Sequence, residues 1–160
     1  MKTVLIRAAI PGDLVYIRAL ERQADTAAHW AEREYDALFA EDAPARVALI
    51  AVEEKAGDGI EGFVIARCAV DEWEIENVVV AEGKRRSGLG SRLVRELLQL
   101  ARTRGAISVL LEVRESNVGA RRLYEKNGFS QTGRRRNYYR APAEDALLLR
   151  SSLRICDKIP

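Results

Sequence analysis

Residues 78–94 read VVVAEGKRRSGLGSRLV, and this stretch predicts the end of a strand, a basic glycine loop and the start of a helix. The valine run is typical of a buried strand, and Leu93, Val94 and Leu97 recur at helical spacing. The first N–H groups of a helix have no intrahelical partner, and the helix dipole adds partial positive charge there. Glycines let the backbone approach an anion closely. We therefore predict that the loop binds a phosphate-bearing ligand.

Two nucleotide-binding motifs compete for this loop. The Walker A motif needs a lysine directly after its second glycine, and the chain has Leu89 there, so that motif fails. The dinucleotide fingerprint fits Gly88 and Gly90 but meets Leu93 at the third glycine. Glu112 follows near the end of a predicted strand, where a ribose-binding acid would lie. At this point the dinucleotide interpretation stays open.

The flanking hydropathy pattern predicts an α/β or α+β domain with a mixed sheet, in the order β-α-α-β-β-β-α-β-α-β-β. The first predicted helix has Asp13 as its N-cap and Leu14, Ile17 and Leu20 on its apolar face. A Gly57-Asp58-Gly59 turn predicts a hairpin. The predicted strands are 4–8, 46–53, 60–70, 72–80, 107–113, 133–140 and 146–153. The further predicted helices are 30–39, 93–101 (ended by Gly105) and 117–126.

Length and composition narrow the class of protein. The 160 residues fit one domain, which we place at 1–160. Hydrophobic residues make up 48% and charged residues 31%, as in an ordinary globular chain. Two cysteines and one histidine are too few for a disulfide framework or a four-ligand zinc site, so we expect no metal. No apolar run reaches the length of a membrane span, so we expect no membrane partner and a reducing, cytoplasmic location.

The charges divide unevenly along the chain. Residues 1–80 carry 8 Lys and Arg against 16 Asp and Glu, whereas residues 81–160 carry 18 against 8. Such a division suits one face for an anionic ligand and another for a cationic one, although two solvated faces would give the same counts.

The loop also fits a third pattern, in which Arg or Gln is followed by x-x-Gly-x-Gly. Residues 85–90 (RRSGLG) match it fully. With the segments around it, the loop resembles that of the GNAT superfamily of N-acetyltransferases, and specifically the RimI type, which acetylates the N-terminal alanine of a ribosomal protein. The supporting segments, in order, are ENVVV (76–80), LEVRESN (111–117), ARRLYEKNGF (120–129), RRNYY (135–139) and EDA (144–146).

This resemblance implies a fold, a cofactor and a reaction. The GNAT fold is a mixed, twisted central sheet flanked by helices, splayed between the strand ending at Val80 and the strand bearing Glu112. The implied cosubstrate is acetyl-CoA, and the implied acceptor is a protein N-terminal amine, with a ribosomal protein as the expected partner. The implied cofactor-binding residues are Val78, Val79, Val80, Arg85, Arg86, Ser87, Gly88, Leu89, Gly90, Ser91 and Asn117.

Two further residues are implied to be catalytic. Glu112 is an ionisable group in an otherwise apolar strand. By itself this suggests either a functional role or an ion pair with Arg114 or another arginine. The resemblance makes it the general base, acting directly or through water. Tyr124 lies at helical spacing with Ala120 and Leu123, which by itself suggests core packing. The resemblance makes it the proton donor to the departing thiolate, and it gives Asn117 a cofactor contact beside its expected N-cap.

Other residues are interpreted as structural. We interpret His29 as a partly exposed structural histidine and Cys68 as a buried, inert thiol, and we place Cys156 in the tail. Arg134-Arg135-Arg136 with Tyr138-Tyr139 is interpreted as a solvated strand end or a contact to the phosphates of CoA, and no nucleic acid is expected. Alternative functions are acetylation of a small amine or a lysine side chain, and a non-catalytic acyl-CoA-binding module.

The acidic first half predicts a basic acceptor peptide. In this superfamily the acceptor groove is built largely from the first helices and the final strand pair. A negative field there would attract a cationic peptide and would be screened by salt. The carboxylates of this region are Glu21, Asp25, Glu32, Glu34, Asp36, Glu41 and Asp42.

Overall fold

The strands and helices follow one another in the order that the hydropathy pattern predicts. A computed structural model describes residues 3–25, 27–54 and 59–154. The strands are Val4–Ala8 (β1), Arg46–Glu53 (β2), Ile60–Cys68 (β3), Glu72–Val80 (β4), Ser108–Arg114 (β5), Ser130–Arg140 (β6) and Ala143–Ser152 (β7). The helices are Leu14–Arg22 (α1), Glu32–Asp36 (α2), Leu89–Thr103 (α3) and Val118–Lys126 (α4). Single turns of 3-10 helix lie at Pro11–Asp13, Ala37–Phe39 and Glu82–Lys84.

All seven strands form one sheet in the order β1-β2-β3-β4-β5-β7-β6. Only β4 and β5 run parallel, because α3 carries the chain back across the sheet between them. Their pairing extends from Glu72 opposite Ser108 to Ile75 opposite Leu111, and the strands separate beyond it. The predicted mixed sheet, flanked by helices and splayed between Val80 and Glu112, is therefore confirmed.

A β-bulge in β4 redirects the side chains at this opening. Ile65 pairs with Asn77 and Ala66 with Ile75, so Glu76 is an extra residue in β4. A bulge shifts the alternation of side chains between the two faces of a strand. Ile75 therefore packs in the core on the α3 side, whereas Val79 packs in the core on the α1 side.

Each face of the sheet has its own apolar core. On one face Leu93, Val94 and Leu97 of α3 are completely buried. On the other face Ile17 of α1 packs with Tyr35 and strand residues. Gly62 of β3 permits the close approach of α3, since a Cβ at that position would lie 2.9 Å from the Val79 carbonyl oxygen and 3.1 Å from Leu93 Cδ1.

Several predicted details need correction or lie outside the described residues. Asp13 lies at the predicted N-cap position of α1, but its side chain makes no capping hydrogen bond; its carboxylate instead accepts from the Ile10 N–H at 2.8 Å and closes the turn before α1. The second predicted helix begins at Glu32 rather than at residue 30. Strands β2 and β3 pair antiparallel as expected, but residues 55–58 of the predicted turn are outside the described ranges, as is Cys156. Cys68 is half-buried, and its burial raises the pKa of its thiol.

Among the helices within the described ranges, none is both long enough and apolar enough to cross a membrane.

Candidate active site

The basic glycine loop forms one wall of a cavity on the α3–α4 side of the sheet. Gly88, with φ +85°, is the N-cap of α3, and Arg86, with φ +59°, also has a left-handed backbone. Successive N–H groups in such a loop form a concave anion-binding surface. The cavity has a volume of about 590 Å³. The predicted cofactor-binding residues that line it are Val78, Val80, Arg85, Arg86, Gly88, Gly90, Ser91 and Asn117.

Three predicted cofactor-binding residues do not line this cavity. The side chain of Val79 is buried on the opposite face of the sheet, because the bulge at Glu76 turns it toward α1. Leu89 is buried in the core on the α3 side. Ser87 donates its hydroxyl hydrogen to the Lys84 carbonyl at 2.6 Å and so closes the loop.

The same cavity has cationic residues that the motif did not predict. They are Lys84, Arg122 and Lys126. Arg122 and Lys126 are four residues apart, so both lie on one face of α4. That spacing is visible in the sequence, but only the packing of α4 beside α3 turns the pair toward the glycine loop.

A second cavity, with a volume of about 440 Å³, opens on the α1 side of the gap between β4 and β5. Its walls come from the segment after α1, from the separated ends of the two strands, and from β6. The residues that line it are Ala27, Ala28, His29, Glu74, Ile75, Glu76, Asn77, Val78, Glu112, Val113, Arg114, Asn117, Tyr124, Tyr138 and Tyr139. We call it the α1-side cavity, and the one at the glycine loop the loop-side cavity.

The two cavities meet at Val78, Asn117 and Tyr124, which line both of them. Asn117 is the predicted N-cap, since its Oδ1 accepts from the Ala120 N–H at 3.1 Å. Tyr124 is buried, with its ring 5.6 Å from that of Phe129 in an edge-to-face contact. Burial, and then the nearby Tyr139, raise the pKa of Tyr124 above its ordinary value. The Tyr124 phenol therefore keeps its proton in neutral and moderately alkaline solution.

Glu112 lies in the α1-side cavity with its side chain 19% exposed. Its Oε1 is 2.9 Å from Arg135 Nε, so the two side chains form an ion pair. A hydrogen bond to Glu112 raises the pKa of Tyr138. Arg114 is not the partner, because it pairs with Glu144 at 3.2 Å. Glu112 thus forms the predicted ion pair with an arginine and also lines a cavity.

The structure favours the interpretation of the 134–136 arginines as a solvated strand end, since all three are exposed on β6. Arg134 pairs with Glu115 at 2.7 Å and with Asp145 at 2.9 Å, and Arg135 pairs with Glu112. Within the part of the chain that the structure describes, none of the three lines the loop-side cavity. The tyrosines that follow them belong instead to the α1-side cavity.

The dinucleotide interpretation also fails on geometry. β4, α3 and β5 do form a parallel crossover, as that fold requires. However, Leu93 at the third glycine position is completely buried, and the close approach is made by Gly62 on the strand. Glu112 lines the α1-side cavity and not the loop-side cavity, so it does not face a ligand bound at the glycine loop.

The acidic residues of the first helices do not support the expected basic acceptor. None of the seven carboxylates named above lines the α1-side cavity. The cavity's own carboxylates, Glu74, Glu76 and Glu112, are each paired with an arginine. The cavity walls therefore supply no unpaired carboxylate, among the described residues, to select a cationic peptide.

Known proteins resemble this chain in both sequence and structure. The model of the Acetyltransferase (GNAT) family matches residues 14–129. The ribosomal protein bS18-alanine N-acetyltransferase of Salmonella typhimurium is 38% identical over 96 residues, which is 59% of this chain and 65% of that protein. The N-alpha-acetyltransferase RimI of Mycobacterium tuberculosis is 37% identical over 103 residues, which is 62% of this chain and 63% of that protein. The chain thus spans less than two thirds of these relatives.

A solved structure extends the likeness to nearly the whole chain. The crystal structure of the ribosomal-protein-S18-alanine N-acetyltransferase from Escherichia coli superposes with a TM-score of 0.82 and 26% sequence identity. The match covers 99% of each chain.

Proposed function

Because the chain belongs to the Acetyltransferase (GNAT) family, we propose that it transfers an acetyl group from acetyl-CoA to the α-amine of a protein N-terminus. One observation carries the proposal. The two cavities meet at Val78, Asn117 and Tyr124, so a thioester entering from one side reaches an amine entering from the other. Glu112 lies on the amine side of this junction and the glycine loop on the cofactor side. A module that only bound acyl-CoA would have no use for the second cavity.

The loop-side cavity suits coenzyme A. The N–H groups at the start of α3 donate hydrogen bonds to the pyrophosphate, and the cations of the loop and of α4 neutralise its charge. Pairing between β4 and β5 ends at Ile75, so the backbone groups of Val78–Val80 that face β5 have no partner strand among the described residues. Those N–H groups hydrogen-bond the pantetheine arm and stabilise negative charge on the thioester oxygen.

The α1-side cavity suits a primary amine. A protein α-amine has a pKa of about 7.7–8.0, so a carboxylate suffices to remove its proton, directly or through water. Glu112 takes this proton and passes it to solvent, the free amine nitrogen bonds to the acetyl carbon, and the nitrogen loses its second proton to Glu112 as the carbon–sulfur bond breaks. Tyr124 then protonates the departing thiolate. Solvent returns a proton to Tyr124 and removes one from Glu112.

For the acceptor we infer an N-terminal alanine of a small-subunit ribosomal protein. The names of the similar proteins from Salmonella typhimurium and Escherichia coli support this acceptor, and an acceptor of this kind implies action in the cytoplasm. The alignments with them cover 59% and 54% of this chain, so the acceptor needs a direct test.

The test is acetylation of a peptide panel, with release of free CoA as the readout. The panel has an Ala-initiated peptide, its Nα-blocked form with an internal lysine, and a small primary amine. We expect the free α-amine of the Ala-initiated peptide to be acetylated and the blocked peptide to be inert. Acetylation of the blocked peptide or of the small amine alone would assign the protein to one of the alternative acceptor classes, and CoA binding without turnover would make it a binding module.

Replacing Gly88 by alanine should weaken CoA binding. A Cβ at Gly88 meets no atom within 4 Å, so the only penalty is its left-handed backbone, which costs about 1–2 kcal/mol for a residue with a side chain. If the loop relaxes to relieve this strain, affinity for CoA falls about five- to thirtyfold. Calorimetric titration with CoA measures the change.

Gly83→Ala is the matched control for this loop. A Cβ at Gly83 also meets no atom within 4 Å, and its φ is not in the left-handed region. We expect the affinity of this variant to equal that of the unmodified protein. Unchanged CoA affinity in Gly88→Ala, or tighter binding of NAD than of CoA, would remove the loop from the cofactor site.

A further inference from the structure

Glu21 of α1 is a buried carboxylate that binds backbone and amide groups rather than a cation. Its side chain lies beneath the segment that connects α1 to α2, and the residue is 4% exposed. Its Oε1 accepts from Asn77 Nδ2 and from the Trp30 N–H, each at 3.0 Å. Within the described residues it forms no ion pair. A buried carboxylate is costly unless its hydrogen bonds are made, so these two contacts hold their donors firmly.

Asn77 continues the same network from β4. Its Nδ2 donates to Glu21, and its Oδ1 accepts from the Ala28 N–H at 3.5 Å. The amides of Ala28 and Trp30 lie on either side of His29, which has a left-handed backbone with φ +51°. A residue without glycine's freedom keeps such a conformation only when its surroundings hold it there. Glu21 and Asn77 therefore fix the peptide groups on both sides of His29.

The bulge in β4 anchors the same segment a second time. Its extra residue, Glu76, accepts from Arg46 at 2.6 and 3.1 Å. The Arg46 guanidinium in turn lies 5.2 Å from the centre of the Trp30 ring, a cation–π contact. The Trp30 ring also packs 5.3 Å from that of Tyr35. Glu76 and Asn77, two neighbouring residues at the bulge, thus both hold residues 27–30 in place.

The anchored segment forms a wall of the α1-side cavity. Ala27, Ala28 and His29 line that cavity together with Tyr138 and Tyr139 of β6. Glu21 does not line it and acts through the segment alone, whereas Asn77 both holds the segment and lines the cavity itself.

We propose that Glu21 and Asn77 are positioning residues that hold residues 27–30 as the acceptor-binding wall, and so set the affinity for the acceptor without affecting that for acetyl-CoA. The proposal rests on the proposed function, since it assigns the acceptor to the α1-side cavity. We expect the affinity for acetyl-CoA to be unaffected because the two sites lie on opposite faces of the sheet. The Asn77 side chain extends from β4 toward α1, whereas the loop-side cavity lies on the other face.

The test first removes the amide of Asn77 and then exchanges the carboxylate of Glu21 and the amide of Asn77 between the two positions. Asn77→Asp replaces the amide donor by a second carboxylate, which faces Glu21 within hydrogen-bonding distance. Loss of a hydrogen bond to a charged group changes an equilibrium by roughly tenfold to a hundredfold. We expect KM for the Ala-initiated peptide to rise by that factor, while the Kd of acetyl-CoA stays within about twofold.

The double variant E21Q/N77D puts the amide on α1 and the carboxylate on β4. The amide nitrogen introduced on α1 then donates to the carboxylate introduced on β4. Because Glu21 Oε1 accepts from both Asn77 Nδ2 and the Trp30 N–H in the unmodified protein, the Trp30 N–H loses its acceptor in this variant. The hydrogen bond between α1 and β4 is restored and the one to Trp30 is not, so KM should return part of the way to the original value.

Hydrogen exchange at the Ala28 and Trp30 amides gives an independent readout. We expect faster exchange of both amides in N77D, and in E21Q/N77D restored protection of the Ala28 amide but not of the Trp30 amide. Circular dichroism of each variant establishes that it is folded. Three results would each overturn the proposal: unchanged exchange and KM in N77D, an equal loss of acetyl-CoA and peptide binding, or a double variant no better than N77D. If the unmodified protein acetylates no peptide, the proposed function fails, and amide exchange alone then decides whether the two residues position the segment.

Discussion

Tyr124→Phe should lower kcat by about a hundredfold to ten-thousandfold, the usual range for loss of a general acid. The change removes one oxygen atom and keeps the ring, so the edge-to-face contact with Phe129 and the wall shared by the two cavities are retained. The Kd of acetyl-CoA should therefore change little. Steady-state rates with the Ala-initiated peptide and calorimetric titration with acetyl-CoA measure the two quantities separately.

The pH dependence adds a second check on Tyr124. Because burial raises the pKa of its phenol, the protonated form that donates to the thiolate persists to higher pH than for an exposed tyrosine, whose pKa is about 10. Activity should rise with deprotonation of the acceptor amine near pH 8 and should not decline up to about pH 10.

Tyr16→Phe is the control for Tyr124→Phe. Tyr16 is a half-buried tyrosine of α1 that lines neither cavity, so loss of its hydroxyl should leave kcat unchanged. If a folded Tyr124→Phe variant turned over at the full rate, Tyr124 would have a packing role only, which is the other role that its helical spacing predicts.

Glu112→Gln should lower kcat/KM by about a hundredfold or more when the acceptor amine is protonated. Glutamine has the shape of glutamate but cannot take up the proton of the ammonium group. Above the pKa of the amine, near pH 8, a free base is already present, and the difference between the variant and the unmodified protein should narrow. The measurement is kcat/KM for the Ala-initiated peptide between pH 6 and pH 9, from about two units below that pKa to about one unit above it.

Glu72→Gln is a matched control, because Glu72 is also a strand carboxylate paired with an arginine. Its Oε2 lies 3.3 Å from Arg150, and it lies outside the α1-side cavity. We expect the same pH profile as for the unmodified protein. A Glu112→Gln defect that stayed constant across the pH range would indicate that the residue organises Arg135 and Tyr138 and does not act as a base.

The order of the elements and the glycine turn before α3 could be predicted from the sequence because both depend on local interactions. Alternating or helical hydropathy sets the type of an element, and the left-handed turn at Gly88 needs glycine wherever the loop is placed. The N-cap at Asn117 is equally local, since donor and acceptor are three residues apart. Asp13 shows the limit of such reasoning. A residue whose side chain caps a helix and one whose side chain closes the preceding turn are of the same type and lie at nearly the same position. Residue type and position therefore do not tell the two roles apart.

The site itself depends on contacts between residues far apart in the chain. Which face of β4 carries Val79 depends on the bulge at Glu76, and the bulge exists only through the register with β3. Arg135 meets Glu112 because β7 lies between β5 and β6 and brings them to one surface. No periodicity along the sequence encodes these pairings.

By itself, then, the sequence determined the type and order of the elements, and its short motifs, through a family resemblance, predicted an anion-binding loop and two candidate catalytic residues. Only the tertiary structure decided that two cavities meet at Val78, Asn117 and Tyr124, that Arg134 and Arg135 pair with carboxylates, and that Glu21 reaches Asn77. The physical reason is that a side chain's face and partners follow from strand register and helix packing. Those are set by the whole sheet at once, and a one-residue shift in register reverses every side chain in a strand.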